Sequence, residues 1–170
     1  MTRPQNNSTG RITRLALLTA IALTIFMVEA QIPTPLPIPG VKLGLANIVT
    51  VWVMFTFGAR DAGMVLFAHI FLGAVFSGQM STILYSGGGG FLAWCVLVLL
   101  SGMLGSRQIW LASPISAIFH NLGQLMVAAG VMKTWAVMAY LPYLMISGVV
   151  SGLFTGWAAQ FLLGRLNKQS

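Results

Sequence analysis

Apolar runs of membrane-spanning length fill most of this chain, and single charges or proline-rich stretches separate them. A helix needs about 20 apolar residues to cross a hydrocarbon core about 30 Å thick. The pattern therefore predicts an all-α integral membrane protein with six transmembrane helices. We place the spans at residues 12–30, 43–58, 62–78, 89–105, 109–132 and 135–164.

Glycine and proline mark the predicted breaks between the spans. No residue from Ala62 to Ser106 carries a formal charge, and one helix over that stretch would be about 67 Å long. Because glycines weaken a helix, the sequence predicts a break at Ser86–Gly90 and a short interfacial helix over residues 79–85. Alternating prolines make residues 31–40 a loop. Pro142 either kinks the sixth span or separates an interfacial segment from it.

The composition supports the prediction of a membrane protein and excludes several other classes of protein. Only 6% of the residues are charged, whereas a soluble domain carries about 25%. This excludes a soluble globule, a disordered segment and a coiled coil. The basic residues are scattered singly, which argues against nucleic-acid binding. The lone Cys95 provides neither a disulfide framework nor a cysteine metal site.

The distribution of basic residues predicts the orientation of the spans. With the amino terminus in the cytoplasm, seven of the nine basic residues fall on the cytoplasmic side and two, Lys42 and Lys133, fall outside. The positive-inside rule therefore favours six spans with both termini cytoplasmic. The domain division is a cytoplasmic tail over residues 1–11, one membrane domain over residues 12–166 and a tail over residues 167–170.

The first outer loop and the start of the second span form the most specific candidate binding site. The prolines stiffen a loop that carries Lys42, and Gly44 and Asn47 follow it. A lysine beside a helix N-terminus favours an anionic group, because the helix dipole adds to its charge. Lys42 is alternatively a lysine that snorkels to the interface. Glu29 is expected either to pair with Lys42 in a structural salt bridge or to contact the ligand.

Further polar residues lie within the predicted spans. His120, Asn121 and Gln124 lie in the fifth span, and His120 and Gln124 share one helix face. Intramembrane polar groups usually face the bundle interior or a cavity, so His120 and Asn121 are binding candidates or form an interhelical hydrogen bond. His69 is interpreted as structural, and two histidines without a nearby acid do not predict a metal site. Asp61 is expected to be the N-cap of the third span.

Small residues recur at a spacing of four in two spans. Gly148, Gly152 and Gly156 form a double GxxxG pattern in the sixth span, and Ala16 and Ala20 form a small-xxx-small pair in the first. Such stripes allow helix backbones to approach closely. The glycines are expected to pack inside the chain. The alanines, near the cytoplasmic end, are candidates for docking on another membrane subunit.

The loop sequence Pro39-Gly-Val-Lys-Leu-Gly-Leu-Ala-Asn47, after a basic start and a small-xxx-small first helix, resembles the Gx transporter family. The same family carries the label heptaprenyl diphosphate synthase component I, and it is similar to the S components of energy-coupling-factor transporters. The resemblance covers nearly the whole chain. It implies an S-component-like bundle that binds substrate near the outer surface of a prokaryotic inner membrane. It also implies that Ala16 and Ala20 dock on a coupling subunit that works with two ATPases.

Two functions follow as hypotheses. The first is a transport component that captures a small anionic or polar metabolite. The second is a non-catalytic membrane subunit of a heptaprenyl diphosphate synthase, with a polyprenyl synthase subunit as partner. Prenyl elongation usually holds its diphosphate through magnesium on aspartate-rich motifs, whereas Glu29 and Asp61 are the only carboxylate side chains here. The chain is therefore expected not to catalyse by itself and to need no cofactor. Besides these partners it contacts membrane lipid.

Overall fold

The computed structural model describes residues 8–31, 44–105 and 108–166, and this part of the chain is helical without any strand. Five of the helices are long and apolar enough to cross a membrane, which confirms the prediction of an all-α membrane protein. A 3-10 helix at Trp135–Tyr140 precedes the last helix, so a separate segment, rather than a kink, lies before Pro142. The α-helices are α1 (Ser8–Glu29), α2 (Asn47–Phe57), α3 (Ala59–Ser77), α4 (Ser81–Met103), α5 (Ile109–Met132) and α6 (Leu141–Leu166).

The second helix differs most from its predicted span. It has 11 residues and covers about 16 Å, roughly half of a hydrocarbon core. It contacts each of the other five α-helices and lies in the middle of the bundle. A helix that is apolar all round suits either lipid or a protein interior, and residues 49–54 of α2 are all buried in the protein.

Contacts at the two ends of α2 show that the chain still passes from one end of the bundle to the other. Glu29, at the end of α1, accepts hydrogen bonds from the amides of Gly44 and Leu45 just before α2. Arg11, at the start of α1, pairs with Asp61 just after α2. Helices α1 and α3 therefore run parallel, with α2 antiparallel between them. We call these the Glu29 end and the Asp61 end.

The Asp61 carboxylate is not the N-cap that the sequence predicted. Gly58 holds that position, and Asp61 lies in the first turn of α3. It accepts hydrogen bonds from the Arg11 guanidinium, with the Nε atom 3.1 Å from Oδ1. A carboxylate in the first turn also interacts favourably with the helix dipole. Asp61 therefore joins α1 to α3.

The glycine run does not interrupt α4, so the predicted break at residues 86–90 is wrong. The turn lies at residues 78–80 instead, and α4 includes all four glycines. A β-carbon on Gly88 would lie 2.4 Å from Val127 Cγ2, and one on Gly123 would lie 2.8 Å from the Gly88 carbonyl oxygen. The run therefore provides the close contact between α4 and α5. It stays helical because in an apolar surrounding its backbone N–H and C=O groups must pair with each other.

The glycine stripe of α6 faces α5. β-Carbons on Gly148, Gly152 and Gly156 would lie 2.8 Å from Asn121 Nδ2, 2.4 Å from Pro114 Cα and 2.9 Å from Ser113 Cβ. The hydroxyls of Ser113 and Thr155 are 2.8 Å apart in the same interface. The two antiparallel helices therefore pack closely along the first half of α5, from Trp110 to Asn121.

Large apolar side chains cover the outside of the bundle. They are exposed on both the α3 and the α6 surfaces. Contact of so many large apolar side chains with water would be unfavourable, whereas contact with lipid chains is favourable. This distribution is what a membrane protein in contact with lipid requires. Examples are Phe71, Phe76, Val150, Phe154 and Phe161.

Substitution of Gly152 by leucine tests the α5–α6 interface. The new side chain would meet the backbone of Pro114, so we expect Gly152→Leu to lower the free energy of unfolding by about 3 kcal/mol, the upper end of overpacking costs. Thermal unfolding of the purified chain in mild detergent measures the loss. Gly130→Leu is the matched control, because nothing lies within 4 Å of a β-carbon there. Equal melting temperatures of the two variants would contradict the packing.

Candidate polar cavity at the Glu29 end

A buried carboxylate fixes the junction of α1 and α2. Glu29 is 4% exposed, its Oε1 lies 2.6 Å from the Gly44 amide nitrogen, and its Oε2 lies 2.9 Å from that of Leu45. These amides precede a helix, where a negative charge is stabilised by free N–H groups and by the dipole. The anion position that the sequence suggested for a ligand is therefore occupied by a carboxylate of the chain itself. Lys42, the cation predicted beside it, lies outside the described residues.

A small polar cavity lies directly below this junction. Residues of α1, α3, α4 and α5 and of the start of α2 line it. The centre of a water molecule has about 10 Å³ available, close to the space that one water requires. The cavity is thus closed to anything larger in this conformation. Its lining consists of Phe26, Glu29, Gly44, Ala46, Asn47, His69, Ile70, Ser86 and His120.

The structure brings together Asn47 and His120, two residues singled out from the sequence. Asn47 Nδ2 lies 3.4 Å from His120 Nδ1, and both side chains line the cavity. When the amide donates to Nδ1, the imidazole carries its proton on Nε2 and can donate from that atom. The pair therefore places hydrogen-bonding groups at this wall of the cavity.

Gly44 is required at this wall for two reasons. Its φ of +81° lies in the left-handed region, which side chains other than glycine rarely adopt. A β-carbon would also lie 3.0 Å from Asn47 Nδ2 and 3.5 Å from His120 Cδ2. The glycine thus allows the start of α2 to pass closely over the imidazole.

His69 lies on the α3 side of the cavity. Its Nδ1 is 3.0 Å from the Val65 carbonyl oxygen one turn earlier, and its ring meets Phe26 edge to face at a centroid distance of 5.8 Å. These contacts fix the orientation of the imidazole. The sequence predicted a structural role for His69, and its place in the wall of a cavity was not predicted.

Asn121 points away from this cavity although it follows His120 in sequence. Its Nδ2 donates to the Leu144 carbonyl oxygen at 2.6 Å, so the side chain joins α5 to α6. Adjacent residues on a helix face directions about 100° apart, which explains the separation. Ser86, by contrast, lines the cavity and was not singled out in sequence, where it was read as the start of a helix break.

The remaining candidates lie elsewhere on the bundle. Ala16 and Ala20 are exposed on one face of α1, near the middle of the helix. Gly148, Gly152 and Gly156 lie in the α5–α6 interface. Within the described ranges, no group of three or more histidine, cysteine, aspartate or glutamate side chains could hold a metal ion.

The fold and the cavity define a multi-pass α-helical membrane protein with a polar pocket between its helices. The chain belongs to the family described as heptaprenyl diphosphate synthase component I, whose family model matches residues 18–162. The family suggested by the loop sequence is thereby confirmed. No curated protein and no solved structure matches the chain.

Removal of the Glu29 carboxylate should loosen the α1–α2 junction. Glu29→Ala leaves two amides without their charged acceptor, so we expect a loss of about 3 kcal/mol in unfolding free energy. Glu29→Gln keeps one acceptor oxygen and should lose less. Thermal unfolding in detergent gives the comparison, with the exposed neighbour Gln31→Ala as control. A Glu29→Ala protein as stable as Gln31→Ala would show that the junction does not depend on these bonds.

Proposed function

We propose that this chain is a non-catalytic substrate-capture component of a membrane transport system, and that it binds a small polar metabolite in the cavity at the Glu29 end. The observation that carries the proposal is the convergence of polar side chains from five helices on one cavity inside an apolar bundle. Polar groups at membrane depth are costly, and they usually mark binding sites or transport pathways. Asn47 and His120 provide the hydrogen bonds, and Glu29 holds the wall in place.

Capture requires the cavity to open. Its present volume admits about one water molecule, so a metabolite must displace part of the wall. Within the described residues, two hydrogen bonds to the Glu29 carboxylate join α1 to the start of α2, whereas α4 and α5 interlock closely at Gly88, Gly89 and Gly123. Opening therefore takes place at the α1–α2 junction. Lys42, in the loop sequence next to it, supplies a cation for a ligand that carries negative charge.

The orientation we propose places this junction on the outer side of the membrane. Seven of the nine basic residues then lie in cytoplasmic segments together with both termini. In the structure Arg11, Arg14 and Arg60 all fall at or near the Asp61 end, which is the cytoplasmic end in this arrangement. The cavity thus faces the compartment from which a captured metabolite comes.

A second function is supported by the family description, which names a component of heptaprenyl diphosphate synthase. In that case the chain is a membrane subunit beside a catalytic polyprenyl synthase. A catalytic role of the chain itself is unfavourable, because its two carboxylate side chains lie at opposite ends of the bundle. One is engaged by backbone amides and the other by Arg11, so they cannot jointly hold magnesium diphosphate.

Mass spectrometry of small molecules retained in mild detergent tests capture. We expect the wild-type chain to retain a metabolite and Asn47→Ala and His120→Ala to lose it, because their side chains face the cavity. Lys42→Ala should weaken binding by about 1.5–3 kcal/mol, the scale of a charge-assisted hydrogen bond, whereas Lys133→Ala should matter less. A wild-type chain that retains nothing contradicts the proposal. Normal retention by Lys42→Ala with loss in Lys133→Ala would place the ligand on the other side of the outer face.

Docking on a partner is tested on the exposed face of α1. Ala16→Trp adds bulk where a small-xxx-small pair would meet another helix, so we expect recovery of the partner membrane subunit to be abolished while the chain stays folded. Ala139→Trp, at another exposed alanine position, is the control. The proteins recovered with tagged wild type separate the two functions: a coupling subunit with ATPases supports transport, and a polyprenyl synthase supports the second. Unchanged recovery with Ala16→Trp would contradict docking there.

A further inference from the structure

Buried polar side chains of α4 and α5 that have no hydrogen-bond partner in the described part of the chain lie next to the cavity. We call Thr82, Ser86 and Gln124 the polar seam. All three are buried, Thr82 and Gln124 completely. The hydroxyls of Thr82 and Ser86 and both amide atoms of Gln124 make no hydrogen bond within the described part of the chain.

The helix register places the seam against the cavity wall. A β-carbon on Gly89 would lie 2.7 Å from Gln124 Cγ, and Gly89 lies one turn after Ser86 on α4. On α5, Gln124 lies one turn after His120, on the same face. Ser86 and His120 both line the cavity, so the seam is its continuation between α4 and α5.

The absence of partners for Gln124 is energetically unusual. A buried amide that has given up its hydrogen bonds to water without replacement destabilises a protein, and nearly all buried polar groups in folded proteins are paired. Within a bilayer there is no bulk water to pair them. Serine and threonine can bond to the carbonyl one turn earlier, and neither Thr82 nor Ser86 does so here. Other buried polar atoms are also unpaired within the described residues, namely Thr50 Oγ1, Trp52 Nε1 and Asn121 Oδ1. The seam differs from them because it lies next to the cavity, where a bound water or ligand can pair its atoms.

The chemistry of the seam specifies that partner. The Gln124 amide offers N–H donors beside a carbonyl acceptor, and each hydroxyl can donate or accept. A carboxylate would be repelled by the carbonyl oxygen of Gln124. An ammonium group would leave the N–H donors of the Gln124 amide unpaired. A neutral amide edge, with an N–H beside a C=O, satisfies both atoms through two parallel hydrogen bonds.

We propose that Ser86 and Gln124 are the specificity-determining residues of the cavity and that they recognise a lactam or carboxamide edge of the ligand. The inference rests on the capture site proposed above and adds the chemical class of the group that is bound. The amide edge of the ligand then lies in the seam, about one turn nearer the Glu29 end than His120, and the rest of the ligand reaches Asn47 and His120.

Two lactams that differ by one methyl group test the proposal. The probes are 2-piperidone, which has the N–H beside its C=O, and 1-methyl-2-piperidone, which lacks the N–H. Their saturable stabilisation of the full chain in detergent is measured by thermal unfolding. We expect 2-piperidone to bind about tenfold or more tightly than the methylated analogue, because methylation leaves the Gln124 carbonyl unpaired.

Variants assign the preference to the seam. Gln124→Met keeps the side-chain length and removes both polar atoms, so the preference for 2-piperidone should disappear. Ser86→Ala, a smaller change, should weaken 2-piperidone binding severalfold and serves if Gln124→Met fails to fold. Gln108→Met, at an exposed position before α5, should retain the preference.

Each outcome decides the inference. Equal affinity for the two lactams, binding of neither, or a preference kept in Gln124→Met overturns it, and where Gln124→Met does not fold, unchanged 2-piperidone binding by Ser86→Ala overturns it. If the wild-type chain retains a metabolite that Asn47→Ala loses but does not distinguish the lactams, the capture site stands and its proposed specificity is wrong. If the chain prefers 2-piperidone but retains no metabolite, the seam is supported and the transport function is contradicted.

Discussion

The carboxylate of Glu29 determines how the Glu29 end of the bundle is built. By accepting the amides of Gly44 and Leu45 it fixes the start of α2 against the end of α1. That position allows Gly44 to pass over His120 and brings Asn47 to the imidazole. The part of the cavity wall formed by Gly44 and Asn47 follows from this buried charge and the two amides that stabilise it.

Much of the fold could be predicted because charges mark the helix ends. Helix α5 runs from Ile109 to Met132 as predicted, between Arg107 and Lys133. Helix propensity gave a wrong prediction for α4. A run of four glycines favours a break in an isolated segment, and only the neighbouring Val127 and Gly123 show that it is a packing surface. The length of α2 was also wrong, because apolar content does not distinguish a lipid-facing span from a helix enclosed by five others.

The site was partly predictable for a different reason. Glu29, Asn47 and His120 were identified because polar groups are rare in this sequence, and the structure places all three at one cavity. Ser86 was missed, because serine is unremarkable in a membrane helix and its importance comes from what surrounds it. The unpaired state of Gln124 depends on the register of two helices, which no single segment encodes. The direction of Asn121 toward Leu144 likewise depends on the tertiary arrangement.

The shortness of α2 has a consequence for biosynthesis. The insertion machinery recognises a segment by its summed apolar transfer energy over about 20 residues, and 11 helical residues provide only part of this. Helix α2 is instead surrounded by protein, with its ends fixed to α1 and α3 through Glu29 and Asp61. We therefore expect α2 to insert late, through its contacts with the neighbouring helices. The cavity wall that carries Asn47 is then completed only after those helices have inserted.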